Sequence, residues 1–261
     1  GAFSFYINNN MAFTDFLNEG AIALSNSMKS FSEKTAEIVF SDLKKHVTYP
    51  FAKKKLNETI IHSGKIESKY GEFPITCKYI FNNDNTDAEI DGNIIYINIS
   101  DQLHSLIQDY YGRYNTKLKS KITNEYNELV KTINHELVHL VDPKLNKQKD
   151  KSFKTAKDNE DTIKELETRL EKGEDVEDKL KLAYEKYLKF PWEIDAYVSS
   201  EANSRMNQYF RKGLTKNMIQ SLLSNVEPKT QIEKFYKTIP NIWKRYTKYL
   251  YKLLEEHFNK D

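Results

Sequence analysis

The chain has 261 residues, enough for one large domain or for one core with a smaller helical annex. Charged residues make up 30% and apolar ones 39%, too apolar for general disorder, while a net charge of +2 provides no basic excess for nucleic acid. A single cysteine, Cys77, excludes an intramolecular disulfide, and no run approaches the roughly 18 apolar residues of a membrane span. The expected partners therefore include neither nucleic acid nor membrane. No basic start followed by an apolar run marks a secretory signal, so the expected location is cytosol-like or virion-associated.

From Met11 to about Ser63 the pattern predicts helix. Ile38, Val39, Leu43, Val47, Phe51, Leu56 and Ile60 carry it, and Pro50 splits it. His46 and His62 lie on these segments without a companion at ligand spacing and read as ordinary histidines. Glu72 to Phe81 then alternates as a strand in which Cys77 is a plain buried thiol. Asn82 to Asn85 marks a turn. Ala88 to Ile99 reads as a hairpin about Asp91-Gly92, because Asp-Gly favours a two-residue turn. An edge strand of this sheet would suit pairing with an extended peptide, and backing the next helix would suit it equally.

Ser100-Asp101 caps a helix through Leu103, Leu106, Ile107 and Tyr110, with His104 on its polar side as a bystander. The next helix, expected from Thr123 to Asp142 and stopped by Pro143, contains His135-Glu136-Leu137-Val138-His139. Histidines four residues apart stack on one helical face, where two imidazoles can grip a single metal ion. Glu136 then stands beside the coordination position left for a water. Val130, Ile133, Leu137, Leu140 and Val141 form the opposite, packing face.

Lys144 to Lys181 is the most polar stretch, with Gly173 near its middle, and predicts one or two solvated helices inserted between two halves of a site. Phe190-Pro191-Trp192-Glu193 opens another helix, and Glu193 is the best downstream acid for a third metal ligand. Ala196, Ser200 and Ser204 share its face and would permit close approach to the histidine helix. Tyr187 is the first candidate to stabilise an oxyanion, with Tyr184 and Tyr197 behind it. After breaks near Asn225 to Pro228 and Ile239 to Asn241, a stripe of Ile242, Trp243, Tyr246, Leu250, Leu253 and Leu254 predicts an amphipathic last helix. That stripe would close the core or equally serve as an oligomer contact; His257 beyond it reads as exposed.

His135-Glu136-x-x-His139 followed by Glu193-x-x-Ala196 resembles the gluzincin branch of zinc metallopeptidases. His139-x-x-Asp142 is similar to the corresponding ending in lethal-factor-type peptidases. Asn134-His-Glu-Leu-Val-His, Asp142-Pro143 and Pro191-x-Glu-Ile-Asp-Ala look more loosely like metallopeptidases of tailed bacteriophages. The resemblance covers about Ile90 to Met206. It implies an α+β, mostly helical, zincin-like fold with a small antiparallel sheet against the metal-binding helix and a helical C-terminal part. It also implies one Zn²⁺ held by His135, His139 and Glu193, Glu136 as the base, and hydrolysis of a polypeptide substrate.

The pattern departs from its relatives at Tyr197, where several carry an aspartate, so a carboxylate to orient a histidine is sought in Asp142 or Glu201. The expected segments are 1–66 (helical), 67–145 (sheet and histidine helix), 146–182 (charged insertion) and 183–261 (C-terminal helical part), with 66–261 forming one catalytic domain. The competing reading is a zincin-fold structural or assembly protein, of phage origin, whose metal only braces the core.

Overall fold

The fold is taken from a computed structural model, which describes residues 21–81, 86–113, 115–142, 152–213, 215, 217–218 and 226–258. The expected turn at 82–85, the stop at Pro143, the stretch 144–151, Asn225 and the side chain of His257 lie outside the described residues.

Helix α1 (Asn26–Lys45) starts where the Ser25 hydroxyl accepts from the Met28 amide, and it buries Phe31, Ala36, Val39, Phe40 and Leu43 along one face. Proline splits the helical run as its chemistry requires, because α2 (Tyr49–Leu56) begins with Pro50 in its first turn. The helical expectation then fails. Ile60–Ser68 is strand β1, paired antiparallel with β2 (Gly71–Ile80). A register irregularity between Ile60 and His62 lets Ile61 and Ile66, five residues apart, both be buried. That bulge removes the two-residue alternation by which a strand is recognised.

β2 alternates cleanly, burying Ile75, Cys77 and Tyr79. β3 (Asp87–Asp91) and β4 (Ile94–Asn98) form the expected hairpin, with Asp91 already paired to Ile94 and the turn shifted one residue to Gly92-Asn93. Gly92 supplies the positive φ of 60° that the first turn position requires. The sheet order is β1-β2-β4-β3, with β4 parallel to β2, so the sheet is mixed and not antiparallel as expected. The chain passes from β2 to the outer edge before the hairpin folds back, which sets β4 beside β2 in the same direction. β3 is left at one edge of the sheet, opposite β1, and packs against the histidine helix.

Ser100 caps α3 (Asp101–Gly112) as predicted, its hydroxyl accepting from the Leu103 amide at 3.1 Å. α4 (Lys119–Val141) is the histidine helix, and it begins four residues before the expected Thr123, after a 3-10 turn at Thr116–Leu118. α5 (Ser152–Glu171) and α6 (Glu177–Tyr187) form a helical hairpin with its own small core of Ile163, Leu166, Val176 and Ala183. Gly173, with φ 81°, sits at its turn. α7 (Pro191–Arg211) opens on the expected proline, and α8 (Gln231–Lys237) and α9 (Pro240–Phe258) follow.

Two cores result. The sheet, α1, α3 and α4 enclose an aliphatic one, while α7, α8 and α9 enclose another rich in tyrosine. The stripe on α9 buries Tyr246, Leu250 and Leu254 in this second core. Among the described residues no helix is long and apolar enough to cross a membrane.

Candidate metal centre

α4 brings His135 and His139 to one face by its helical period, and α7 crosses that face closely. Small side chains permit the approach: Ala196 and Ser200 are buried, and Ser200 and Ser204 line the same crevice as Val130 and Lys131. Residues 133–138 of α4 are consequently buried around the whole circumference, including the face reserved for chemistry.

Glu193, in the first turn of α7, projects between the two imidazoles. Its Oε2 lies 3.2 Å from His135 Nε2 and its Oε1 3.2 Å from His139 Nε2, while the two Nε2 atoms are 3.0 Å apart. The three residues each offer a ligand atom within 4.8 Å of the others, and this cluster could hold a metal ion. A tetrahedral ion about 2.0–2.1 Å from its ligands needs about 3.3 Å between neighbouring ligand atoms. The donor set therefore fits with adjustments of a few tenths of an ångström.

Electrostatics points the same way. Two imidazole nitrogens and a carboxylate converge in a buried space and repel unless a positive charge lies among them. Burial by itself lowers the His139 pKa, but the Glu193 carboxylate outweighs it and raises the ring to about 9. Glu193 is held far below the usual carboxylate range: burial opposes this, and the His139 charge and both histidine hydrogen bonds prevail. His135 moves down, chiefly through burial. The Glu136 carboxyl is pushed up to about 8 by burial, with His139 opposing and Glu193, Glu89 and Asp87 reinforcing. Glu89 and Asp87 belong to β3, and Glu160 of α5 is raised by burial and by Glu193, so two further elements contribute acids around the cluster.

The Nδ1 atoms of both histidines are buried with no hydrogen-bond partner, so neither Asp142 nor Glu201 orients a ring in the expected way. Glu201 is engaged with Arg205 at 2.9 Å and Lys131 at 3.7 Å. Ring packing positions the histidines instead. Tyr197 lies 4.3 Å from His135, centroid to centroid, and His135 meets His139 edge to face at 4.6 Å. The departure at Tyr197 thus replaces a hydrogen bond with a contact.

Of the tyrosine candidates, Tyr187 reaches the cluster. Burial, the Glu193 charge and a hydrogen bond with Glu193 hold its hydroxyl well above the ordinary range, so it stays protonated. Tyr184 is committed elsewhere, donating to Glu167. His104 stays outside the cluster, as expected of a bystander, but it is buried and not on a polar face: it is 2% exposed, and its Nε2 lies 2.6 Å from the His46 carbonyl oxygen. His62 stacks on Phe31 at 4.7 Å, away from any ligand set.

The sequence motifs include Asp195 and Asn134 but assign neither a role. Arg245 of α9 grips Asp195 through one nitrogen at 3.0 Å from each carboxylate oxygen, a contact between distant positions that leaves no local pattern. Asn134 is fully buried beside His135 with neither amide atom hydrogen-bonded.

Fold and cluster together define a mostly helical α+β protein with a buried His-His-Glu set able to take a metal ion. No protein-family model, no curated protein and no solved structure matches the chain. The gluzincin resemblance accordingly rests on the motif residues themselves.

Proposed function

We propose that this protein is a zinc-dependent metallopeptidase that hydrolyses peptide bonds in a polypeptide substrate. The observation that carries the reading is that Glu136 directly follows a ligand histidine beside three converging ligand atoms. Two nitrogens and a carboxylate suit zinc. Among the described residues no fourth His, Cys, Asp or Glu joins the set, as expected of a site that keeps one position for water.

When bound, zinc supplies Lewis acidity, polarising a carbonyl and lowering the pKa of water to about 7. His135 and His139 hold it through Nε2 and Glu193 through its carboxylate. Glu136 takes the proton from the attacking water and delivers it to the leaving amine. The Tyr187 hydroxyl donates to the oxygen on which charge develops. β3 offers an edge along α4 where an extended substrate can add as a further strand.

Glu136→Gln tests the assignment. It should keep about one zinc per chain by elemental analysis, while cleavage of a diverse peptide library falls by roughly 10²–10⁴-fold. Retained cleavage would remove Glu136 as the base. Cleavage by the parent chain that ignores a chelator would sink the whole reading. Bound zinc without any cleavage would assign the metal a bracing role in a structural or assembly protein.

A further inference from the structure

We propose that the elbow between α1 and α2, with its exposed apolar tip flanked along the chain by lysines, is a docking surface for an anionic lipid bilayer. This inference is independent of the metal centre. Between Asp42 and Glu58 the chain carries Lys44, Lys45, Lys53, Lys54 and Lys55 and no acid, in a protein whose whole balance is only +2. All five lysines are exposed. Lys45 pairs with Asp42 at 3.0 Å, whereas Lys53, Lys54 and Lys55 form no ion pair among the described residues.

Apolar exposure coincides with this charge. Val47, at the tip, is 75% exposed and Phe51 is 48% exposed. The backbone that presents them is braced from behind by α3. Gln108 Nε2 donates to the carbonyls of Leu43 at 2.7 Å and His46 at 3.1 Å, and His104 engages the same His46 carbonyl. The Tyr49 hydroxyl donates to the Ile99 carbonyl at 2.9 Å. These bonds hold the elbow in one shape without covering its outer face.

A bilayer surface uses every part of this arrangement. Val47 and Phe51 enter the boundary between headgroups and acyl chains, and the lysine ammonium groups remain among anionic headgroups. Lys55 already lays its ammonium 5.8 Å from the Phe51 ring centre, the posture of a stem that follows apolar surface while its head stays wet. Nucleic acid would engage the lysines but would have no use for an exposed valine, and no arginine lies in the stretch to read bases. That no helix among the described residues is long and apolar enough to span a membrane bears on crossing one and leaves surface docking untouched.

The test is co-sedimentation of the full chain with vesicles of phosphatidylcholine alone and with roughly one-third phosphatidylserine. Binding is expected only to the anionic vesicles, and it should weaken as salt rises. Each lysine near such a surface contributes roughly fivefold, so Lys53→Gln/Lys54→Gln/Lys55→Gln should lose about 100-fold in affinity. Phe51→Ser should weaken binding while preserving its salt dependence. Lys179→Gln/Lys181→Gln/Lys186→Gln removes the same charge from α6 and should bind as the parent does. Unchanged melting temperatures would show that the exposed substitutions leave the fold intact. Failure to bind anionic vesicles, or equal loss in both lysine triplets, would overturn the proposal. Retardation of duplex DNA through Lys53 to Lys55 without vesicle binding would reassign the patch to nucleic acid.

Discussion

The two cores are held by different forces. The sheet-side core is aliphatic and closes by area burial, with Ile66, Ile95, Ile97, Ile99 and Ile107 wholly enclosed. The C-terminal core is tied by buried charge. Arg205 links Glu201 to Glu233, the Tyr246 hydroxyl donates to Glu233 at 3.0 Å, and Glu233 also closes the capping box with Thr230 at the start of α8. The candidate metal ligands straddle the seam, two from α4 and one from α7. Burial is non-directional and forgives small repacking, whereas a buried ion network demands its members in place.

Removing one member of that network should have the largest effect. Arg205→Met leaves Glu233, which is fully buried, without its cation, and about 3–5 kcal/mol of stability should be lost in denaturant unfolding. A loss under about 1 kcal/mol would show that water reaches the network and that the two cores are less different than they look. Zinc comes next, because it would fasten the halves together. At a hundredfold excess over its dissociation constant it should add about 2.7 kcal/mol, and His139→Ala should abolish that gain in calorimetry.

Ile97→Val, in the aliphatic core, should cost only about 1 kcal/mol. Asn134→Leu should be smaller still, changing stability by less than about 1 kcal/mol and in the stabilising direction, since it removes two buried polar atoms that bond to nothing. A clear loss there would reveal an ordered water held by the amide. Cys77, whose thiol burial pushes up to about 12, should resist alkylation at neutral pH until the sheet side opens. Its labelling rate in denaturant would then report that half alone.

How much was legible in the sequence follows the same division. The convergence of His135, His139 and Glu193 could be read because helical spacing and a proline-opened helix are local signals. The strand status of Ile60–Ser68 was hidden, because a bulge broke its alternation beside a helical run. The direction of β4 was hidden too, since hairpin chemistry specifies the partner within the hairpin and says nothing of the strand on the other side. Least visible was the charge network. Arg205 and Glu233 lie on separate helices, and a lysine-rich, glutamate-rich chain offers no means to tell a buried pair from a solvated one.

Asp195 stands two residues beyond Glu193 on α7, about 200° around the axis, and there Arg245 seizes it from the rear. This helix meets the histidine helix through alanine and serine, and meets the C-terminal core through Ile194, Val198 and Met206. That rear clasp ties the helix carrying Glu193 to a guanidinium fifty positions beyond Asp195. A metal ion held by the cluster would have its affinity tuned from the last helix, without any change to the donors.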